Sequence, residues 1–282
     1  MGVMSQADRG NLTNLSGTLV LIGAGRMGGA MLQGWLKLGF PPAQAVVFEP
    51  QPSEEIAALA ARGIRLNPPP ESVRDAAALV IALKPQSAAE AVPGYAGLAG
   101  AQTVVVSIMA GQTLGTLARL LSRGTAIVRA MPNTPAAIGR GITVAVANAQ
   151  VGAAQRDLAH GLLAAIGAVE WVTDEGLMDA VTAVSGSGPA YVFLLAEAIA
   201  QAGVAAGLPP ALAARLARET VAGSGELMHR AGLDPAVLRQ NVTSPGGTTA
   251  AALSVLMSSQ GLAPLMEKAI AAATRRSREL AG

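Results

Sequence analysis

The sequence predicts an α/β domain followed by an all-helical one, and three observations carry that reading. A short apolar run, Thr18-Leu-Val-Leu-Ile22, ends in Gly23-Ala-Gly25-Arg-Met-Gly28 and passes into a helix-like stretch at 29–38. Strand-like and helix-like segments then alternate to about residue 172, and from about residue 177 only helical patterns remain. Alternation marks a largely parallel sheet covered by helices, and its loss marks a second domain. The expected division is an extension at 1–17, a sheet domain at 18–176 and a helical domain at 177–282.

The first strand, glycine turn and helix give the GxGxxG pattern a mechanism. Gly23 makes the tight turn, Gly25 clears room for a pyrophosphate, and Gly28 lets the helix pack on the strand. With a second strand at 45–48, this predicts a Rossmann-like dinucleotide-binding domain. Further strands are expected at 78–83, 103–108, 125–129, 142–147 and 169–172, with helices at 53–62, 86–96 and 114–122. Ligands of such sheets bind beyond the carboxyl ends of the strands. Unusual residues fall there: Lys84-Pro85, Ala110-Gly111 and Met131-Pro-Asn-Thr-Pro135. Glu49 ends the second strand, where an acid accepts the ribose hydroxyls of NADH and repels the 2′-phosphate of NADPH. Gln51 and Ser53 can instead hydrogen-bond a phosphate if Glu49 turns outward, so the balance leans only modestly to NADH.

In the helical part, Ser185-Gly-Ser-Gly-Pro189 opens a long helix to about residue 206, with Ser187 as its cap and Pro189 in its first turn. Leu208-Pro-Pro210 opens another through about residue 230, and Asp234-Pro235 a short one. Val242-Thr-Ser-Pro-Gly-Gly-Thr-Thr249 then precedes an alanine-rich helix at 250–257. Adjacent glycines admit a ligand close to the backbone, and the helix N-terminus favours an anion, so this turn can hold a carboxylate. Pro-Gly-Gly is also ordinary turn chemistry. Residues 190–207 are apolar but contain Glu197 and Gln201, which predicts a core or subunit-interface helix rather than a membrane span. The domain is too thin to cover such a helix alone, so a homodimer or higher homo-oligomer is expected.

Composition excludes several classes. There is no cysteine, hence no disulfide or thiolate metal site, which fits a cytoplasmic setting. The two histidines, His160 and His229, have no partner at ligand spacing, so no metal is expected. A formal charge of +2 with 2% aromatic residues gives neither the electrostatic footprint nor the stacking platform of a nucleic-acid binder. Residues 1–17 are polar and lack the apolar segment of a signal peptide, so they read as a disordered extension.

Taken together, these blocks resemble pyrroline-5-carboxylate reductase over nearly the full length. Ile22-Gly-Ala-Gly-Arg-Met27 is similar to that family's dinucleotide turn, Ala82-Leu-Lys-Pro85 to its second cofactor loop, and Ser107-Ile-Met-Ala-Gly111 to its third. Arg129-Ala-Met-Pro-Asn-Thr-Pro135, Val184-Ser-Gly-Ser-Gly-Pro-Ala-Tyr191 and Thr243-Ser-Pro-Gly-Gly-Thr-Thr249 resemble its other blocks. The resemblance implies reduction of 1-pyrroline-5-carboxylate to L-proline with NADPH or NADH. It places the cofactor on Ile22, Gly23, Ala24, Gly25, Arg26, Met27, Gly28, Glu49, Ala82, Leu83, Lys84, Pro85, Ile108, Met109, Ala110 and Asn133. Substrate positions carry over onto Glu175, Asn241, Thr248 and Thr249, with Ser244 and Gly247 in the same turn. Thr249 is the expected catalytic residue, its hydroxyl bonding the ring nitrogen. Asn133 either meets the cofactor or holds the turn between Pro132 and Pro135; Glu175 and Asp179 either serve the site or form a solvated acidic face. The chain departs from the family at Glu49, where a small hydroxyl or amide residue is frequent, and at Met257, where a polar residue is usual. The rival readings are a β-hydroxyacid dehydrogenase, whose catalytic lysine has no counterpart here beyond Lys268, and a non-catalytic dinucleotide sensor.

Overall fold

The computed structural model describes residue 12 and residues 15–281. These form two compact units, one of residues 187–273 and the other of residues 12, 15–186 and 274–281. In the sheet unit the order is β1 (Thr18–Ile22), α1 (Arg26–Lys37), β2 (Ala45–Phe48), α2 (Glu54–Ala58), β3 (Arg65–Leu66), β4 (Ala76–Ile81) and α3 (Ala88–Ala91). There follow β5 (Val104–Ser107), α4 (Leu114–Leu120), β6 (Ala126–Met131), β7 (Gly141–Ala147), α5 (Ala153–Ala164), β8 (Gly167–Trp171) and α6 (Met178–Val181).

The strands form one eight-stranded sheet in the order β3-β2-β1-β4-β5-β6-β7-β8. All neighbours are parallel except β6 and β7. Seven strands were legible in the pattern; β3, two residues long, is too short to show a period. Side chains alternate across the sheet, so each strand feeds two cores. Leu19, Leu21, Val47, Val80 and Val106 pack with Met31 and Trp35 of α1 and Leu162 of α5 on one face. Val20, Ile22, Val46, Ile81 and Val105 pack with Ala88 and Leu117 on the other. Burial on both faces is why these strands read as continuous apolar runs.

Of residues 1–17, expected to be a disordered extension, 1–11, 13 and 14 lie outside the described residues. Leu12 is buried in the first core and Leu15 packs against it, because both side chains are apolar in an otherwise polar stretch. The Leu15 carbonyl accepts from Gln44 Nε2 at 3.3 Å.

The helical unit holds α7 (Gly188–Ala205), α8 (Pro210–Ala231), α9 (Pro235–Asn241), α10 (Thr248–Leu256) and most of α11 (Leu262–Ala281). Ser187 precedes α7 but makes no side-chain cap bond; its backbone is already helical, φ −83° and ψ −21°, because Thr182–Gly186 wind as a π-turn into the same helix. Asp234 does cap α9, accepting from Ala236 N at 2.7 Å. Gly203 brings α7 onto α8: a Cβ there would lie 3.3 Å from Ala213 Cβ. Apart from that seam α7 is uncovered. Among its described residues none is buried, and Phe193 and Leu194 are 62% and 63% exposed. Within one chain the core alternative for 190–207 therefore fails, since no layer of the helical unit covers it. The helical stretch Glu175–Ala205 has the length and apolar composition of a membrane span, but Glu197 interrupts it.

Trp35 is fully buried and donates from Nε1 to the Leu162 carbonyl at 2.8 Å, tying α1 to α5. Trp35→Phe keeps most of the ring and removes the donor, so it should destabilise the sheet unit by about 1–3 kcal/mol in urea denaturation. An unchanged midpoint would show that the bond contributes nothing.

Candidate active site

The parallel strands deliver their carboxyl ends to one edge of the sheet, and the backbone ladder continues past those ends. Gly23 N donates to the Phe48 carbonyl at 2.8 Å, Ala82 N to Ile22 O at 2.8 Å, and Ile108 N to Ile81 O at 3.0 Å. These bonds stitch the glycine turn, the loop Ala82-Leu-Lys-Pro85 and the loop Ile108-Met-Ala110 side by side. Three of the sequence-predicted segments are thus brought together by main-chain bonds alone.

The glycines have separate reasons. Gly23 has φ +90°, and a Cβ on it would lie 2.7 Å from the Ala82 carbonyl oxygen; a Cβ on Gly28 would lie 2.1 Å from the Gly23 oxygen. A Cβ on Gly25 would meet nothing within 4 Å, so the fold itself does not require glycine there. That open position stands at the N-cap of α1, a 12-residue helix whose start receives no side-chain cap bond and carries no acid. Unpaired N–H groups and the helix dipole at such a start suit a phosphate. The turn therefore fits a dinucleotide.

The side chains around this edge divide in role. Ile22 and Met109 are 1% and 2% exposed and lie in the core, so only their backbones can face a ligand. Met27 and Ile108 pack against the first core and Leu83 against the second. Arg26 and Lys84 are exposed. Glu49 Oε2 accepts from Ala24 N at 2.8 Å and Oε1 from Gln51 N at 3.1 Å. The Asn133 side chain ties its loop to β7 and to the Thr182–Gly186 turn: Oδ1 accepts from Ile142 N at 3.0 Å and Nδ2 donates to the Ser185 carbonyl at 3.1 Å.

Glu175 and Asp179 are not a solvated face. Arg129, 5% exposed on β6, donates from Nη1 to Glu175 Oε1 at 2.8 Å, and the same oxygen accepts from Leu114 N at 2.8 Å at the start of α4. Asp179 accepts from Ser277 Oγ at 2.7 Å. Arg129 opens one of the family-like blocks, but its pairing with Glu175 is not legible in the sequence, because the acid that neutralises it lies 46 residues away.

The remaining predicted residues, Asn241, Ser244, Gly247, Thr248 and Thr249, belong to the helical unit. Ser244-Pro-Gly-Gly247 closes a turn in which Gly247 N donates to Ser244 O at 3.0 Å. Gly246 has φ +71°, the left-handed value that a turn with proline before it demands. Gly247 is the N-cap of α10, with no side-chain cap and no acid in the first turn. Its own N–H is used by the turn, so the N–H groups of Thr248, Thr249 and Ala250 are those a helix start leaves over. Thr249 is half-buried; Thr248, Ser244 and Asn241 are exposed. Thr243 Oγ1 donates to the Arg239 carbonyl at 2.6 Å and so belongs to the end of α9. A hollow of about 470 Å³ lined by Arg239, Thr243, Ala250, Leu253 and Met257 lies between α9 and α10. Met257 lines it rather than a core. Among the described residues no group of three or more His, Asp or Glu is placed to hold a metal.

Known proteins share both units. The family model described as pyrroline-5-carboxylate reductase dimerisation matches residues 175–280, and that described as NADP oxidoreductase coenzyme F420-dependent matches residues 18–111. Pyrroline-5-carboxylate reductases of Pseudomonas aeruginosa and Synechocystis sp. are each 40% identical, over 93% of this chain and 96% and 97% of theirs. The structure of a pyrroline-5-carboxylate reductase from Coxiella burnetii matches with TM-score 0.87 and 32% identity, covering 95% of this chain and 100% of that one. A Plasmodium falciparum pyrroline carboxylate reductase with NADP bound matches with TM-score 0.78 and 26% identity over 94% and 98%. With two relatives at 40% identity spanning nearly the whole of both chains, this chain belongs to the pyrroline-5-carboxylate reductase family.

Proposed function

We propose that the protein reduces 1-pyrroline-5-carboxylate to L-proline, the last step of proline biosynthesis, with NADH or NADPH as reductant. The observation that carries this is the pairing, in one chain, of two helix starts without side-chain caps: α1 after its glycine turn and α10 after Gly247. One suits a pyrophosphate and the other a small carboxylate.

The dinucleotide supplies the hydride. A protonated imine is already an electrophile, so the protein must orient it rather than activate it with a metal or a nucleophile. The hydride forms the new C–H bond at the imine carbon, the C=N π pair passes to nitrogen, and the nitrogen keeps its proton as the ring amine. Thr249 accepts the N–H of the protonated imine through its hydroxyl. The leftover N–H groups at the start of α10, with Ser244 and Thr248, hold the carboxylate, and Gly247 keeps that approach clear. Asn241, exposed at the end of α9, is a further polar contact for the ring. Glu175 acts as a positioning residue: it neutralises Arg129 and caps α4. On the cofactor side Gly25 and Arg26 serve the phosphates, while Lys84, Pro85, Ala110 and Asn133 shape the loops around the nicotinamide.

The exposed apolar surface of α7 is covered in a homodimer or higher homo-oligomer, and neither nucleic acid nor membrane is a partner. The setting is cytoplasmic, in keeping with a chain free of cysteine.

The purified protein is expected to oxidise NADH or NADPH on addition of 1-pyrroline-5-carboxylate and to keep that activity after exhaustive chelation. Folded protein without turnover on either nucleotide contradicts the proposal. Thr249→Val preserves shape and removes one hydrogen bond to a charged group, roughly 1.5–3 kcal/mol, so kcat/KM should fall about 10–150-fold with no change in melting temperature. Wild-type kinetics would reduce Thr249 to a helix residue. Glu175→Ala strands a buried guanidinium and should cost about 2–4 kcal/mol of stability alongside activity, less than a fully buried pair because Glu175 is partly exposed. Lost activity at full stability would make Glu175 a substrate contact instead.

A further inference from the structure

Glu49 follows the last residue of β2, and its backbone is clamped by one side chain. Asn67 Oδ1 accepts from Glu49 N at 2.8 Å, and Asn67 Nδ2 donates to Glu49 O at 2.9 Å. Asn67 takes φ 48°, which among the described non-glycine residues only Asp75 shares. Asparagine tolerates that region better than most residues. The clamp fixes where the Glu49 side chain starts; its end is fixed by the N–H groups of Ala24 and Gln51 at 2.8 and 3.1 Å. The outward rotation that would open this place to a phosphate must break both bonds.

An ionised carboxylate has about four acceptor positions, two on each oxygen. The two N–H groups use one on each, leaving one on each for a pair of neighbouring hydroxyls. The adenosine ribose of NADH supplies such a pair. NADPH replaces one hydroxyl by a doubly charged phosphate, which offers no donor and repels the carboxylate. Little in the local sequence offsets that repulsion: residues 49–58 hold no lysine or arginine, and Glu54 and Glu55 add charge of the same sign, while Arg65 on the neighbouring β3 pairs with Val46, three residues before Glu49. Glu55 is itself drawn to α1, accepting from Gln33 Nε2 at 3.0 Å. The only cation in the glycine turn is Arg26.

Resting on the reductase reading above, we infer that this chain selects NADH over NADPH and that Glu49, held by Asn67, Ala24 and Gln51, is the selecting residue. The test is titration of the full chain with each reduced nucleotide, following nucleotide fluorescence, for the wild type, Glu49→Gln and Glu49→Ser. Glu49→Gln keeps an acceptor oxygen for Ala24 N while removing the charge, so it guards against loss of the turn. NADH is expected to bind at least about tenfold tighter than NADPH, about 1.4 kcal/mol. In both variants the ratio of the two Kd values should fall by that factor or more, with NADPH affinity rising. Wild-type protein that binds NADPH as tightly as NADH, or a ratio that neither variant moves, overturns the selection and leaves the reductase reading intact. If Arg26→Gln then weakens NADPH alone, Arg26 is the phosphate partner that defeats it. Binding of neither nucleotide overturns both, whereas selective NADH binding without reduction of the imine overturns the reductase reading alone.

Discussion

The close approach of α1 to the turn that ends β1 constrains the whole sheet unit. A Cβ on Gly28 would lie 2.1 Å from the Gly23 carbonyl, so the helix can begin here only because that atom is missing. Once the helix is admitted, its apolar side chains Met31, Leu32 and Trp35 reach the core, and Trp35 binds across to α5. The same contact fixes the turn's remaining N–H groups. One of them, on Ala24, is taken by Glu49; the others form the start of a 12-residue helix without a side-chain cap. Packing and the form of the turn are therefore set by one geometric requirement, while Gly25, where an added Cβ would meet nothing within 4 Å, leaves open space at the helix start.

The helical unit shows the opposite economy. Its seam between α7 and α8 is built from small residues, Gly203, Ala213 and Ala217, which let two helices approach but cover little surface. The large side chains Phe193, Leu194 and Leu195 point elsewhere and stay exposed. Large apolar side chains exposed together along one helix mark an interaction site. The match of residues 175–280 to a dimerisation model gives that surface its occupant, a second copy. Folding of this unit is then tied to assembly, and its stability depends on protein concentration.

The sequence shows the architecture well because long apolar runs and glycine turns are local signals. It shows β1, β2 and α8 to within a residue or two and the start of α9, and it misses β3, whose two residues carry no period. Ser187 looks like a cap, yet the π-turn before it makes its backbone helical, a consequence of packing that no residue pattern announces. The glycine turns of the candidate site are visible for the same reason the fold is: they are contiguous. What the sequence hides is long-range pairing. Arg129 and Glu175 lie 46 residues apart, Asn133 and Ser185 lie 52 apart, and nothing local separates a scaffold acid from a substrate contact. Met109 was legible as part of a loop, but its side chain lies in the core because the loop's backbone alone lines the edge.

In the proposed reaction hydride leaves the reduced nucleotide for the imine carbon, and L-proline is the product. The direct measurement is a single-turnover reaction, with enzyme in excess over NADH and 1-pyrroline-5-carboxylate and with a chelator present, in which nucleotide oxidation is followed by absorbance and the product by chiral chromatography. One L-proline per nucleotide oxidised, formed at the same rate, is the result expected. Oxidation of the nucleotide without formation of proline would contradict this reaction.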